Sequence, residues 1–190
     1  MSDDNLNNLR NQYLLATPAV KDPLFASSLV YMCEHNAEGS MGLVINHRSE
    51  QNLEAIFEQL EIDCPDETVR QTPVYLGGPV QLQQGFVLHD APARRYEQSL
   101  QVGDGMHLTT SLDILHDIAQ HKGPDRYLVM LGYAGWAAGQ LEQELQDNAW
   151  LTAPANPGIT FHPNIDARWQ LAFDQLGFDL DSLSPTTGSA

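Results

Sequence analysis

The chain has 190 residues, of which 42% are hydrophobic and 18% charged, which is enough apolar residues for a globular core. Twenty-five Asp and Glu residues against nine Lys and Arg residues give a formal net charge of −16. Proteins that bind nucleic acid need clustered cations to displace counterions from phosphates, so this charge balance argues against direct nucleic-acid binding.

The N-terminal sequence MSDDNLNNLR lacks the basic start and the apolar stretch of a secretion signal. No segment approaches the roughly 18 uninterrupted apolar residues of a membrane span. We therefore expect a cytoplasmic protein without a membrane partner. We also expect one domain over residues 1–190, with flexible tails at residues 1–10 and 182–190.

The most regular pattern lies in residues 28–46. Two apolar runs with a period of two are separated by a short polar loop that contains Gly39. This pattern predicts a β-hairpin, and because both of its faces are mostly apolar, we expect it to lie centrally in a sheet. Strict alternation would place His35 on the same face as Cys33 and would place Glu34 on the opposite face.

Further strands and helices follow without strict alternation. The patterns predict strands at residues 73–76, 85–89, 99–102, 106–109 and 127–131. They predict helices over 53–60 with Asn52 as N-cap, from Thr110 with Leu112, Leu115 and Ile118 buried, over 139–147, and over 164–176 with Asn164 as N-cap. This order favours an α+β fold with a mixed, largely antiparallel sheet and helices packed against it.

Standard catalytic and metal motifs are absent: the chain contains no HExxH, GxSxG, CxxC or phosphate loop. Cys33 and Cys64 are too few for a disulfide framework or a four-ligand zinc site. We therefore predict no metal and no cofactor. The scattered histidines are interpreted as hydrogen-bonded or surface residues.

Glycines mark the places where backbone could approach a partner closely, namely Gly77-Gly78 and the stretch from Gly132 to Gly139. Tight packing between chain segments is the simpler interpretation. We expect Gly135 in particular to supply a positive φ or to make room for a neighbouring segment. The ligand interpretation stays open beside this one.

Residues in and beyond this stretch have similar double interpretations. Gly139 precedes a helix whose amides could hold an anion, although Glu142 already complements the helix dipole. Trp136 and Trp150 are interpreted as core or rim aromatics rather than a binding cage. Glu142 is interpreted as part of a solvated acidic face.

Four long runs resemble the bacterial YqgE/AlgH family (UPF0301, DUF179) in order and spacing. They are Leu14–Asn46, Gly77–His89 (GGPVQLQQGFVLH), Thr109–Leu115 (TTSLDIL) and Gly132–Ala155 (GYAGWAAGQLEQELQDNAWLTAPA). The resemblance implies a complex α+β fold with a barrel-like mixed sheet and brings no established activity or cofactor. After Asn46 the family usually has a basic residue and then proline, whereas this chain has His47-Arg48.

Three functional hypotheses follow. The first is a non-catalytic regulatory or adaptor protein that acts through a protein partner or small ligand. The second is an enzyme that uses Glu34, His35, Asn46 or His89 in a polar pocket near the Gly77-Gly78 turn. The third is direct DNA binding, since some family members are labelled transcriptional regulators, and the acidity makes this mechanism a poor one.

Overall fold

The computed structural model describes residues 8–92 and 94–177, so most of the two predicted tails lies outside the described residues. The strands are β1 Gln12–Ala16, β2 Leu29–Asn36, β3 Gly39–Val44, β4 Arg48–Asn52, β5 Pro73–Leu76, β6 Val80–His89, β7 Ser99–Gly103, β8 Met106–Thr109, β9 Tyr127–Ala137 and β10 Trp150–Pro154. The helices are α1 Leu53–Gln59, α2 Glu67–Arg70, α3 Asp113–Ala119, α4 Gln140–Gln146, α5 Pro157–Thr160 and α6 Arg168–Asp174, with a 3-10 helix at Ile165–Ala167.

Eight strands follow one another in the order β10-β1-β2-β3-β9-β6-β8-β7. Every pairing along this path is antiparallel. The remaining two strands pair with each other, and β5 also pairs with β9 in parallel. The path forms a curled half-barrel, which confirms the predicted α+β class with a mixed, largely antiparallel, barrel-like sheet.

The predicted hairpin is β2 and β3, and it lies in the middle of the sheet with apolar residues packed on both faces. Tyr31 and Cys33 belong to the largest core cluster, inside the curl. Val30 and Met32 belong to a second cluster on the opposite face, which α4 covers through Leu141. The central position follows from the two-sided apolar pattern, because each face of a buried strand needs apolar partners.

A β-bulge in β2 changes the faces on which the polar end of the strand lies. The register with β3 shifts between Met32 and Glu34. A bulge adds one residue to a strand and so inverts the alternation beyond it. His35 therefore lies on the α4 face and Glu34 on the inner face, so the assignment by strict alternation was wrong for both residues.

Several predicted helices form where expected. Asn52 caps α1 by accepting from the Ala55 backbone N at 3.3 Å, and α1 buries Ile56 and Phe57. Leu112, predicted to be buried, is instead 52% exposed as the N-cap of α3. Within the described residues, no helix is long and apolar enough to cross a membrane.

The end of the chain differs from the prediction of one continuous helix. Asn164 caps only a 3-10 turn, and the chain then re-enters α-helix at Arg168. Between the predicted helix over 53–60 and the predicted strand at 73–76 lies α2, for which no element was predicted and which Asp66 caps by accepting from the Thr68 backbone N at 2.7 Å. These short elements lack the repeated apolar spacing from which longer helices are predicted.

Candidate functional site

The glycines at the β5–β6 turn are explained by a close crossing of two backbones. The carbonyl oxygen of Gly132 lies 2.4 Å from the position that a Cβ at Gly77 would take, and the carbonyl carbon of Tyr133 lies 2.1 Å from that of Gly78. Gly132 has a φ of +75°. The space directly in front of Gly77 and Gly78 is thus filled by the backbone of β9.

Gly135 was expected to behave in the same way, and this expectation was wrong. Its φ is not positive, and a Cβ there would meet the nearest atom, Cε2 of Tyr133, at an ordinary contact distance of 3.4 Å. The strand was also expected to end before this segment, yet β9 continues through Ala137. Gly135 is an exposed residue of a regular strand.

The α4 side of the same strand segment is a closed aromatic cluster. Trp136 and Trp150 are 6% and 4% exposed, and their rings meet edge to face at 6.0 Å. Both indole N–H groups donate to Oε1 of Glu144, at 3.4 and 3.2 Å. The two tryptophans are core aromatics, as expected, and the pattern of the sequence did not indicate that Glu144 joins them.

His35 and Glu142 were both singled out from the sequence, and the structure brings them together. The Leu9 backbone N donates to Nδ1 of His35 at 3.0 Å, so Nε2 carries the proton that it donates to Oε1 of Glu142 at 2.7 Å. This hydrogen bond lowers the pKa of the Glu142 carboxyl. Glu142 thus lies on an exposed face, with its side chain 46% exposed, and is hydrogen-bonded to the sheet there.

The same contact bears on the N-terminal region and on α4. Leu9 belongs to the stretch expected to be a flexible tail, and it is bonded to the sheet through His35.

Gly139, the N-cap of α4, has a φ of +78° and makes the sharp entry into the helix. The helix has only seven residues, and Glu142 in its first turn supplies the negative charge that its dipole favours.

His89 is fully buried at the end of β6. Nδ1 donates to the Asp90 carbonyl oxygen over 2.8 Å, and Nε2 lies 2.7 Å from Oγ1 of Thr109. Burial lowers the pKa of His89. Its ring stacks on His107 at 5.6 Å. His89 is thus a hydrogen-bonded core histidine.

Asn46 lies in a third place, at a depression of about 590 Å³ between the β1 end and α6. Its side chain accepts from the Leu29 backbone N at 2.8 Å and donates to the Ser27 carbonyl oxygen at 2.9 Å, which fixes the turn after β3. His47 lines the same depression, and burial lowers its pKa. The departure from the family pattern at His47-Arg48 therefore falls at the edge of a surface depression.

The four polar side chains of the enzyme hypothesis point apart. Glu34 faces the inner side of the sheet, His35 faces α4, Asn46 bonds to a turn and His89 is buried against β8. Nucleophilic or acid–base catalysis needs such groups within hydrogen-bond reach of one another. These four residues therefore do not form a catalytic constellation.

The inner side of the sheet opens into a groove that is lined by three of the predicted site residues, Glu34, Gly135 and Trp136. Two adjoining depressions of about 530 and 430 Å³ share Glu34, Met41 and Tyr133. We call their union the mouth groove. Its lining comprises Glu34, Asn36, Glu38, Gly39, Ser40, Met41, Val80, Phe86, Gln98, Ser99, Leu100, Leu108, Thr110, Tyr133, Gly135 and Trp136.

The mouth groove has an apolar floor and an acidic rim. Met41 and Tyr133 pack on the largest core cluster, and the Tyr133 ring meets Phe86 edge to face at 5.9 Å. Glu34 and Glu38 are exposed, and neither takes part in an ion pair of the described residues. The lining residues come mainly from β2, β3, β6, β7, β8 and β9, which are distant in sequence, so no local pattern locates this groove.

The protein thus belongs to the class of α+β proteins with a curled, largely antiparallel half-barrel sheet, and it has an open groove with an apolar floor. The sequence profile described as AlgH-like matches residues 13–181. A UPF0301 protein of Thioalkalivibrio sulfidiphilus is 48% identical over 97% of this chain and 98% of its own length. A UPF0301 protein of Paraburkholderia phymatum is 44% identical over 100% of this chain and 98% of its own length. This chain belongs to the AlgH-like UPF0301 (DUF179) family.

Solved structures agree with this assignment. The solution structure of the Pseudomonas aeruginosa AlgH protein has a TM-score of 0.80 with 43% identity, and each chain is covered completely. A crystal structure of a Corynebacterium diphtheriae protein has a TM-score of 0.73 with 22% identity over 90% of this chain and 88% of its own. The latter shares the fold. The names of these relatives and solved structures describe no reaction.

Proposed function

We propose that this protein is a non-catalytic cytoplasmic adaptor that binds a segment of a partner protein in the mouth groove. The observation that carries the proposal is the combination of an apolar floor, continuous with the core, and two exposed carboxylates at the rim without ion-pair partners among the described residues. Apolar surface beside unpaired charge is typical of interaction sites.

The charge of the groove indicates the chemistry of the partner segment. Among the described residues that line it, none is Lys, Arg or His, and Glu34 and Glu38 are acidic. The net charge of −16 adds long-range attraction for cations. The partner segment is therefore one with a large apolar side chain, which covers Tyr133 and Met41, and with Lys or Arg close by in its sequence.

Two exposed leucines allow a matched test of this proposal. Leu100 lies in the groove and is 41% exposed, whereas Leu112 lies outside it and is 52% exposed. A photo-crosslinking amino acid at residue 100 should capture a partner in cells, and the same group at residue 112 should not. Mass spectrometry of the captured segment should find Lys or Arg beside the crosslinked residue.

Charge reversal tests the role of the rim. The double variant Glu34→Lys/Glu38→Lys should lower capture from residue 100 about tenfold or more, because like charges at an interface are strongly unfavourable. The variant Glu58→Lys/Glu61→Lys makes the same change in net charge at exposed residues elsewhere and should leave capture intact. Equal capture from residues 100 and 112, or an acidic captured segment, would contradict the proposal.

A further inference from the structure

A buried guanidinium has neutral hydrogen-bond acceptors and takes part in no ion pair of the described residues. Arg168, at the start of α6, is 2% exposed. Its Nη1 donates to the Ile45 carbonyl oxygen at 2.6 Å and to the Tyr75 hydroxyl at 3.1 Å, while Nε and Nη2 donate to the His162 carbonyl oxygen at 3.1 and 2.7 Å. All of these acceptors are neutral.

Burial of a charge without a counter-ion is unfavourable even when its donors are hydrogen-bonded. None of the ion pairs of the described residues includes Arg168. The bonds above use four of the five guanidinium N–H groups and leave one at Nη2. Tyr75 adds a cation–π contact at 5.3 Å, which compensates the charge only in part.

A pocket of about 360 Å³ is lined by this guanidinium and by two further arginine side chains. Arg48 belongs to β4, opposite Tyr75 in the strand register, and takes part in no ion pair of the described residues. Arg126 lies over the Phe161 ring at 5.2 Å and pairs with Asp90 at 3.1 Å.

The pocket concentrates positive charge in an acidic protein. Three of the nine Lys and Arg residues of the chain line it, and Asp125 is the one acidic residue among the described lining residues. Its other walls are largely apolar and aromatic, with Tyr75, Tyr127 and Phe161. A concave site of a few hundred Å³ with apolar walls and convergent polar groups is typical of small-ligand sites.

We propose that this pocket, here called the arginine pocket, binds a small organic anion with an apolar or aromatic body. The carboxylate or phosphate group lies between Arg48 and the free Nη2 donor of Arg168, and Arg126 contributes from the rim. Guanidinium groups suit such oxyanions because their planar donors form charge-assisted hydrogen bonds. The body of the ligand packs against Tyr75 and Phe161.

The test uses phenyl phosphate, benzoate and inorganic phosphate as probes, with sodium chloride at matched ionic strength and benzylamine as controls. Phenyl phosphate or benzoate should raise the melting temperature, and the chloride and benzylamine controls should not. In ¹H–¹⁵N spectra, the shifted signals should belong to Arg48, Tyr75, Arg126 and His162. A stronger effect of phenyl phosphate than of benzoate identifies a phosphate ligand, and the reverse order identifies a carboxylate.

Variants at the more exposed arginines avoid the structural role of Arg168. Arg48→Gln should weaken binding of the better probe about tenfold, the usual effect of losing one charge-assisted hydrogen bond. Arg94→Gln removes an arginine that is paired with Asp117 outside the pocket and should leave affinity unchanged. The proposal is overturned if Arg94→Gln weakens binding equally, or if both anions act no more strongly than chloride.

Discussion

The two faces of the last part of β9 differ sharply although they belong to one short segment. On the α4 face, Ala134 and Trp136 are buried in a closed cluster with Trp150. On the inner face, Tyr133 and Gly135 line the mouth groove. A glycine- and aromatic-rich sequence is therefore compatible with both roles, and only the environment of each residue distinguishes a packing role from a binding surface.

The largest effect should come from the same substitution at two glycines of this segment. Gly132→Val should destabilise the fold by about 3 kcal/mol or more, because its φ is +75° and a Cβ would lie 2.3 Å from the Gly78 carbonyl oxygen. Gly135→Val should change stability by about 0.5 kcal/mol or less. Urea unfolding measures both, and equal losses would remove the distinction between these positions.

The closed face can be tested at Glu144. Glu144→Leu leaves the indole N–H groups of Trp136 and Trp150 without their common acceptor and should cost about 2 kcal/mol. Glu144→Gln keeps an acceptor oxygen and is the control, with an expected loss below about 1 kcal/mol. Both are read from urea unfolding with tryptophan fluorescence. If Glu144→Leu unfolds like the wild type, the indole hydrogen bonds contribute nothing.

The pH dependence of stability should reflect the buried His89 and the partly buried His47. Burial lowers the folded-state pKa of His89 and His47 below 6.5, so the folded state binds fewer protons than the unfolded chain. Stability is therefore full above about pH 6.5 and falls as the pH decreases through the folded-state pKa values. The double variant His89→Gln/His47→Gln should show a flatter profile between about pH 7 and pH 5, measured by urea unfolding. A wild-type profile in this variant would contradict the assignment.

The smallest effect concerns Glu142, which is hydrogen-bonded to His35 in the first turn of α4. The lowered pKa of Glu142 stabilises the fold above its ordinary pKa of 4.5, and this contribution is lost as the pH falls through the lower folded-state pKa. Its side chain is 46% exposed, so at neutral pH Glu142→Gln should cost less than about 1 kcal/mol. Thermal melts at neutral and acidic pH measure the difference, which should vanish at acidic pH. A higher melting temperature for the variant at neutral pH would show that the charge is unfavourable there.

Local patterns of the sequence determined much of the fold. The two-sided apolar alternation predicted the hairpin β2–β3 and its central position, and the spacing after Asn52 predicted α1 with its cap. Such features depend on residues close together in the chain, where periodicity and capping act directly. The resemblance to a family added the barrel-like curl.

Contacts between distant residues were decided only by the tertiary structure. The bulge at β2 reversed the faces of Glu34 and His35, and one inserted residue of this kind leaves no periodic signal. Arg48, Arg126 and Arg168 are scattered in sequence and meet in one pocket because β4, β9 and α6 converge there. The sequence determined which segments form strands and helices. The way in which those segments cross determined which glycines have no room for a side chain. It also determined that carboxylates gather at the mouth groove and arginines in the arginine pocket.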